Sequence, residues 1–180
     1  MDYISLGLLM LSSRTIYQLR SRIDKGLNLM YSSSTGSIQA AIKKLLDSGY
    51  IDYRDICENG RNKKEYFITE AGRQEFGSWI NSPIDSAGMK CPELSKIYFM
   101  GFSEQENRVE IISDHIAGLK NKYEALKLIC DEAKLYEPPD KQVQDIMFYQ
   151  LASARFGRDL MSFTIKWYED FLNEMRCRDE

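Results

Sequence analysis

Arg61, Asn62, Lys63 and Lys64 form the densest cluster of anion-seeking side chains in the chain, directly after Asn59-Gly60. A guanidinium such as that of Arg61 offers a planar fork that suits a phosphate or the edge of a guanine, whereas the two lysines act as mobile point charges. Upstream, Ser33, Ser34, Thr35 and Ser37 supply hydroxyls, Gln39 an amide, and Lys43 and Lys44 ammonium groups. Hydroxyls at the start of a helix cap its first amides or hydrogen-bond a phosphate placed there. By direction, Ser37, Gln39 and Lys43 are the base-edge readers, and Lys44 faces either a flanking phosphate or only water. Contacts to phosphate position a protein on a duplex; contacts to base edges specify the sequence.

These groups need a rod and a ribbon to present them. The rod is an amphipathic helix from Ser34 to Ser48, on which Ile38, Ala41, Ile42, Leu45 and Leu46 recur at three- and four-residue spacing as one buried stripe. Its length of roughly 22 Å is enough to lie in a major groove. Ser33 or Ser34 caps its start, and Gly49 stands where a left-handed stop is cheapest. The ribbon pairs Tyr50–Arg54 with Glu65–Thr69 across a basic turn, Asn59–Lys64. Ser33 to Thr69 therefore reads as a single winged helix-turn-helix device for duplex DNA.

The same stretch, with what precedes it, resembles the PadR-type transcriptional regulators. The resemblance is carried by Leu6-Gly7-Leu8-Leu9, Tyr17 before Gln18-Leu19-Arg20-Ser21-Arg22-Ile23, and Ser34-Thr35-Gly36-Ser37-Ile38. It continues through Leu45-Leu46-Asp47-Ser48-Gly49, Gly60-Arg61-Asn62-Lys63-Lys64 and Tyr66-Phe67-Ile68-Thr69-Glu70-Ala71-Gly72-Arg73. These motifs cover the first eighty residues in the family's order. Ile16 stands where members often carry glycine, and Gln39 where many place a tyrosine; a glutamine there has the amide fork to read an adenine. The resemblance implies a regulator that binds an inverted-repeat operator as a homodimer, with repression the commoner outcome. It also leaves room for a small apolar or phenolic effector.

Bulk properties narrow the alternatives. Hydrophobic residues make up 43% of the 180, ample for a core. The formal charge of −3 is unevenly spread: Met1–Ile80 carries 11 Lys/Arg against 9 Asp/Glu, the remainder 13 against 18. Clustering at the ribbon counts for more than the total, because phosphate contacts act over about one Debye length. No apolar run reaches the roughly 20 residues that span a bilayer, and Met1–Leu11 reads as a first helix, so a cytoplasmic protein without a membrane partner is expected. Cys57, Cys91, Cys130 and Cys177 form no Cys-x-x-Cys pair and none lies near His115, the sole histidine. Reduced thiols are expected, with neither metal nor other cofactor. Cys57, beside the ribbon, is the position a redox-sensing thiol would take. No nucleophile stands at a recognisable spacing from a base, and there is no phosphate-binding loop, which argues against an enzyme.

The organisation expected is mostly α: a winged helix-turn-helix domain over 1–80, a turn-rich linker over 81–92 and a long-helix dimerisation domain over 93–180. Ile4, Leu8 and Leu11 mark the first helix. Ser13 or Thr15 caps a second carrying Ile16, Leu19 and Ile23, and Phe76, Trp79 and Ile80 lie on a fourth. After Ser103, Val109, Ile112, Ile116, Leu119, Tyr123, Leu126, Cys130 and Ala133 make an unbroken heptad seam, which must pack on another helix. Pro138-Pro139 breaks it and Asp140 caps a last helix to about Met175, apolar over much of its circumference. Such a helix needs cover on several sides, and a second copy of the chain supplies it, with Ile112, Ile116, Leu119, Tyr123, Leu126, Met161, Trp167, Tyr168 and Phe171 assigned to dimerisation. Trp79, Phe99, Met100, Met161, Trp167 and Tyr168 are the residues that could line an effector pocket. The rival reading is a winged-helix protein-interaction module that never touches DNA.

Overall fold

A computed structural model describes residues 1–24, 34–58, 61–84 and 91–179, with the backbone alone at Glu58, Arg61 and Asp179. Ser33 and the turn residues Asn59 and Gly60 lie outside the described residues, as does half of the expected linker. The chain divides into two compact units, Met1–Ala87 and Gly88–Glu180.

The first unit contains α1 (Asp2–Leu11), α2 (Ile16–Arg22), α3 (Thr35–Asp47), the antiparallel strands β1 (Ile51–Glu58) and β2 (Arg61–Ile68), and α4 (Glu70–Ile80). That order of helices and ribbon is the winged helix-turn-helix. Its core joins Leu6, Leu8 and Leu9 of α1 to Leu19 and Ile23 of the α2 end, Ile38, Ile42 and Leu45 of α3, and Ile51, Tyr66 and Ile68 of the ribbon. Leu11 is 40% exposed, because the buried stripe of α1 runs through Leu6, Leu8 and Leu9.

Each helix starts where its cap dictates. Thr15 accepts from the Gln18 amide while the Gln18 side chain accepts from the Thr15 amide, a reciprocal capping box on α2. α3 ends at Gly49, whose φ of +69° is a left-handed stop that a side chain would strain. Arg14 adds a short third strand position that sequence patterning did not reveal, exchanging two 2.9 Å backbone hydrogen bonds with Tyr66.

The second unit carries α5 (Glu93–Tyr98), a 3-10 turn over Met100–Phe102, α6 (Gln105–Glu132) and α7 (Lys141–Asp179). Pro138-Pro139 separates the two long helices, and the Asp140 carboxylate accepts from the Val143 amide at 2.8 Å. The seam of α6 is covered from within the chain: Ile112, Ile116 and Leu119 are buried with Met100, Tyr168 and Leu172. Among the described residues, no helix is long and apolar enough to cross a membrane, and no group of three His, Cys, Asp or Glu side chains could hold a metal ion.

Candidate nucleic-acid interface

α3 owes its position to its buried stripe and to two contacts at its ends. Ile38, Ala41, Ile42 and Leu45 are buried, so Gln39 and Lys43 are turned out to solvent. Ser34, the N-cap, accepts from the Ser37 amide at 3.1 Å. The Ser37 hydroxyl donates back to the Ser34 carbonyl at 2.8 Å, which commits it to the helix start as well as to the exposed face. Thr35, fully outward, accepts a 2.8 Å hydrogen bond from the Arg20 guanidinium on α2. At the other end Lys44 Nζ lies 2.6 Å from Asp2 Oδ2, in the first turn of α1. That hydrogen bond pushes the lysine's pKa up, while the Lys44 side chain stays 71% exposed.

The ribbon departs from the expectation of a long basic turn. Its register pairs Glu58 with Arg61, Cys57 with Asn62, Ile56 with Lys63 and Asp55 with Lys64, so the cationic run belongs to β2 and only two residues separate the strands. Paired backbone makes the basic residues part of a stiff ladder. Lys64 rests over a ring: its ammonium sits 3.8 Å from the centroid of the Tyr53 ring, and hydrogen bonding to Tyr53 raises its pKa. Tyr53 in turn meets Tyr66, directly opposite, at 6.0 Å between ring centroids. An Arg54–Glu65 ion pair at 2.6 Å ties the strands together. Between the ribbon and the start of α2 lies a cavity of about 390 Å³, lined by Thr15, Ile16, Tyr17, Lys63, Lys64 and Tyr66. Tyr17 is 79% exposed at its rim.

The geometry thus gathers Ser34, Thr35, Gln39, Lys43, Asn62, Lys63 and Lys64 in one unit, on α3 and the ribbon. It turns Lys44 toward α1. It adds Arg20, Tyr53 and Asp2, which no local pattern marks. Arg20 meets a partner fifteen residues away, and Asp2 one that is forty-two residues away.

In the second unit, Ile112, Ile116, Leu119, Leu126 and Tyr168 are buried within the single chain, while Met161, Phe171 and Tyr123 are partly buried and Trp167 is 41% exposed. α7 leaves Ile146, Phe148, Tyr149, Phe156 and Phe163 uncovered. Of the candidate effector-pocket residues, Phe99 and Met100 line a second cavity of about 390 Å³ together with Ser95, Lys96, Ser103 and Ile111. Trp79 instead stacks on Tyr3 at 4.8 Å in the first unit. His115 packs its ring edge-on against Tyr168 at 4.5 Å, and its Nε2 is buried with no hydrogen-bond partner among the described residues.

Residues 6–78 match the family described as the transcriptional regulator PadR-like family. The negative transcriptional regulator PadR of Bacillus subtilis (strain 168) is 26% identical over 150 residues, 78% of this chain and 81% of that protein. A protein of Streptococcus mutans UA159 has the same fold at a TM-score of 0.80, with 23% identity over 96% of this chain and 98% of its own. Bacillus subtilis PadR has been solved in complex with operator DNA (TM-score 0.73) and in complex with p-coumaric acid (TM-score 0.67). Each is 24% identical and covers 97% of this chain and 98% of that one.

Proposed function

We propose that this chain, which belongs to the PadR-like family of transcriptional regulators, binds an inverted-repeat operator in double-stranded DNA as a homodimer and represses the promoter it covers. The observation that carries the reading is the pairing of an outward α3 face with a cationic strand in one compact unit. Gln39 and Lys43, with Ser37, would meet base edges in the major groove. Ser33, Ser34 and Thr35 would meet the backbone at the helix start, and Arg61, Asn62, Lys63 and Lys64 the phosphates beside it. Lys44 is left out of this set because of its ion pair with Asp2.

The homodimer is supported by the uncovered apolar residues of α7, which a second copy would bury; two α3 helices related by a dyad would engage half-sites about 34 Å apart or a multiple of it. Repression follows the Bacillus subtilis relative, which is named a negative regulator. A phenolic effector is the natural ligand to test, since that relative has been solved with p-coumaric acid. Such a regulator works in the cytoplasm, where its DNA is.

The test enriches a duplex from a randomised pool on the wild-type protein, then measures its binding by anisotropy across a salt series against a scrambled duplex. Preference for the enriched duplex and a steep salt slope are expected, and the Arg61→Ala/Lys63→Ala/Lys64→Ala variant should lose about 0.9 of slope for each phosphate contact removed. A folded dimer that enriches nothing and binds neither duplex at low salt would leave a protein-interaction module as the better reading.

A further inference from the structure

Arg20 belongs to no motif of the ribbon or of α3, yet it ties α2 to the start of α3. It sits in the last turn of α2 and donates from one terminal nitrogen to Thr35 Oγ1 at 2.8 Å, while its Nε lies 3.5 Å from Asp24. Half of its side chain remains exposed. A basic residue in this turn has a plain explanation, the favourable charge at a helix C-terminus. The side chain does not stay there. It is drawn across to the first residue of α3, where the helix dipole is positive and disfavours a cation.

The Asp24 carboxylate offsets that cost from one side, and the exposed half of the Arg20 side chain leaves room for a second anion. The surroundings point to which anion. Tyr17, one turn earlier on α2 and 79% exposed, rims the cavity that Lys63 and Lys64 line from the ribbon. Lys63 and Lys64, Tyr17, Arg20 and the hydroxyls of Thr35 and Ser34 therefore trace one path from the ribbon to the start of α3. That path combines cations with hydroxyls, the chemistry that follows a phosphodiester backbone.

We propose that Arg20 is both a positioning residue for α3 and a phosphate contact: one edge of its fork fixes the first turn of α3 through Thr35 and the other meets a DNA phosphate. The inference rests on the DNA-binding reading above. It is tested on the full-length dimer with the enriched and scrambled duplexes, using Arg20→Ala, Arg20→Gln and Thr35→Val. Arg20→Gln keeps a donor for Thr35 and removes the charge; Thr35→Val keeps the charge and removes the acceptor.

Both Arg20 variants should lose about 0.9 of salt slope, one phosphate, and bind the enriched duplex about tenfold more weakly at moderate salt. Thr35→Val should keep the wild-type slope but lose several-fold in preference for the enriched over the scrambled duplex. Circular dichroism melts of all three serve as the folding control, and Arg20→Gln carries the test should Arg20→Ala unfold. Wild-type slope and affinity in Arg20→Gln, beside a wing variant that does lose slope, would overturn the proposal and leave Arg20 a helix-end residue of α2. A wild-type protein that prefers neither duplex would overturn the regulator reading itself, and this inference with it.

Discussion

Replacing Gly72 with alanine sets two physical rules against each other. Gly72 lies in the first turn of α4, where exchanging glycine for alanine in an open helix would stabilise by about 1 kcal/mol. Here a β-carbon would stand 2.0 Å from the Tyr50 carbonyl oxygen, 2.8 Å from Ile68 Cγ1 and 2.9 Å from the Tyr50 carbonyl carbon. Relief requires a shift of more than about 1 Å, since nonbonded heavy atoms settle beyond 3 Å. The Tyr50 oxygen cannot simply withdraw. It accepts the Thr69 amide at 3.0 Å, and the Tyr50 amide donates to Leu45 at the end of α3 at 3.0 Å. Thr69 is equally committed, capping the Gly72 amide at 3.1 Å and donating its hydroxyl to the Gly49 carbonyl at 2.7 Å.

The cost combines overpacking of about 1–3 kcal/mol, one backbone hydrogen bond of about 1 kcal/mol and a weakened cap of about 1 kcal/mol. Less the propensity gain, Gly72→Ala should destabilise the first unit by about 2–4 kcal/mol, a large share of the roughly 5–15 kcal/mol that holds a domain. The two tryptophans fall one in each unit, so a Trp167→Phe background leaves Trp79, stacked on Tyr3, to report on the first alone. In urea the midpoint should fall by about 1–3 M at unchanged m-value. A midpoint unchanged or raised would refute the reasoning, because helix propensity would then have prevailed over the contact with Tyr50.

Three further outcomes follow from side-chain contacts. Tyr53→Leu should weaken DNA binding about threefold with the salt slope intact, because Lys64 loses the ring it rests on and keeps its charge, while Tyr53→Phe stays near wild type; anisotropy titration distinguishes them. Lys44→Ala should leave the salt slope unchanged, and Asp2→Asn should steepen it by about 0.9 as the freed ammonium reaches a phosphate; equal slopes for wild type and Asp2→Asn would mean that Lys44 lies beyond reach of DNA. Burial above all, then Glu93 and Cys91, holds the Tyr168 phenol above its ordinary 10.0. A folded-state pKa raised in this way favours the protonated form, so the stability it contributes to the second unit is present below about pH 10 and lost as pH climbs through the folded value. Melting curves followed from about pH 9 to 11 should fall more gently in Tyr168→Phe than in wild type.

The parts of the first unit that were legible in sequence are those whose causes are local. The α3 stripe, the Ser34 cap and the Gly49 stop are each decided within a few residues of one another, and the fold follows them. The basic cluster stands out in the sequence, but its placement in a turn does not hold. Charge repels a core assignment, yet a two-stranded ribbon pairs its backbone whatever the side chains are, so Arg61–Lys64 extend β2. Lys44 and Arg20 escaped local reading for the opposite reason. Whether an exposed cation faces DNA or its own protein depends on partners such as Asp2 and Thr35, which periodicity cannot bring near.

The second unit marks the limit of periodicity most clearly. A heptad seam on α6 states that one face must be covered and says nothing about whose helix covers it. Ile112, Ile116 and Leu119 are covered by Tyr168 and Leu172 of the same chain, so a seam first assigned to dimerisation already has an intrachain partner. The demand for a second copy passes instead to α7, whose Phe156 and Phe163 are each 67% exposed after Tyr168 and Leu172 have been spent on α6. A helix cannot turn both faces to one partner. The residues that α6 leaves uncovered, rather than those with the cleanest repeat, are therefore where substitutions should separate the proposed dimer from the fold. Phe156→Glu/Phe163→Glu should give a helical monomer by sedimentation equilibrium, whereas Ile116→Glu should unfold the second unit before any change in association could be read.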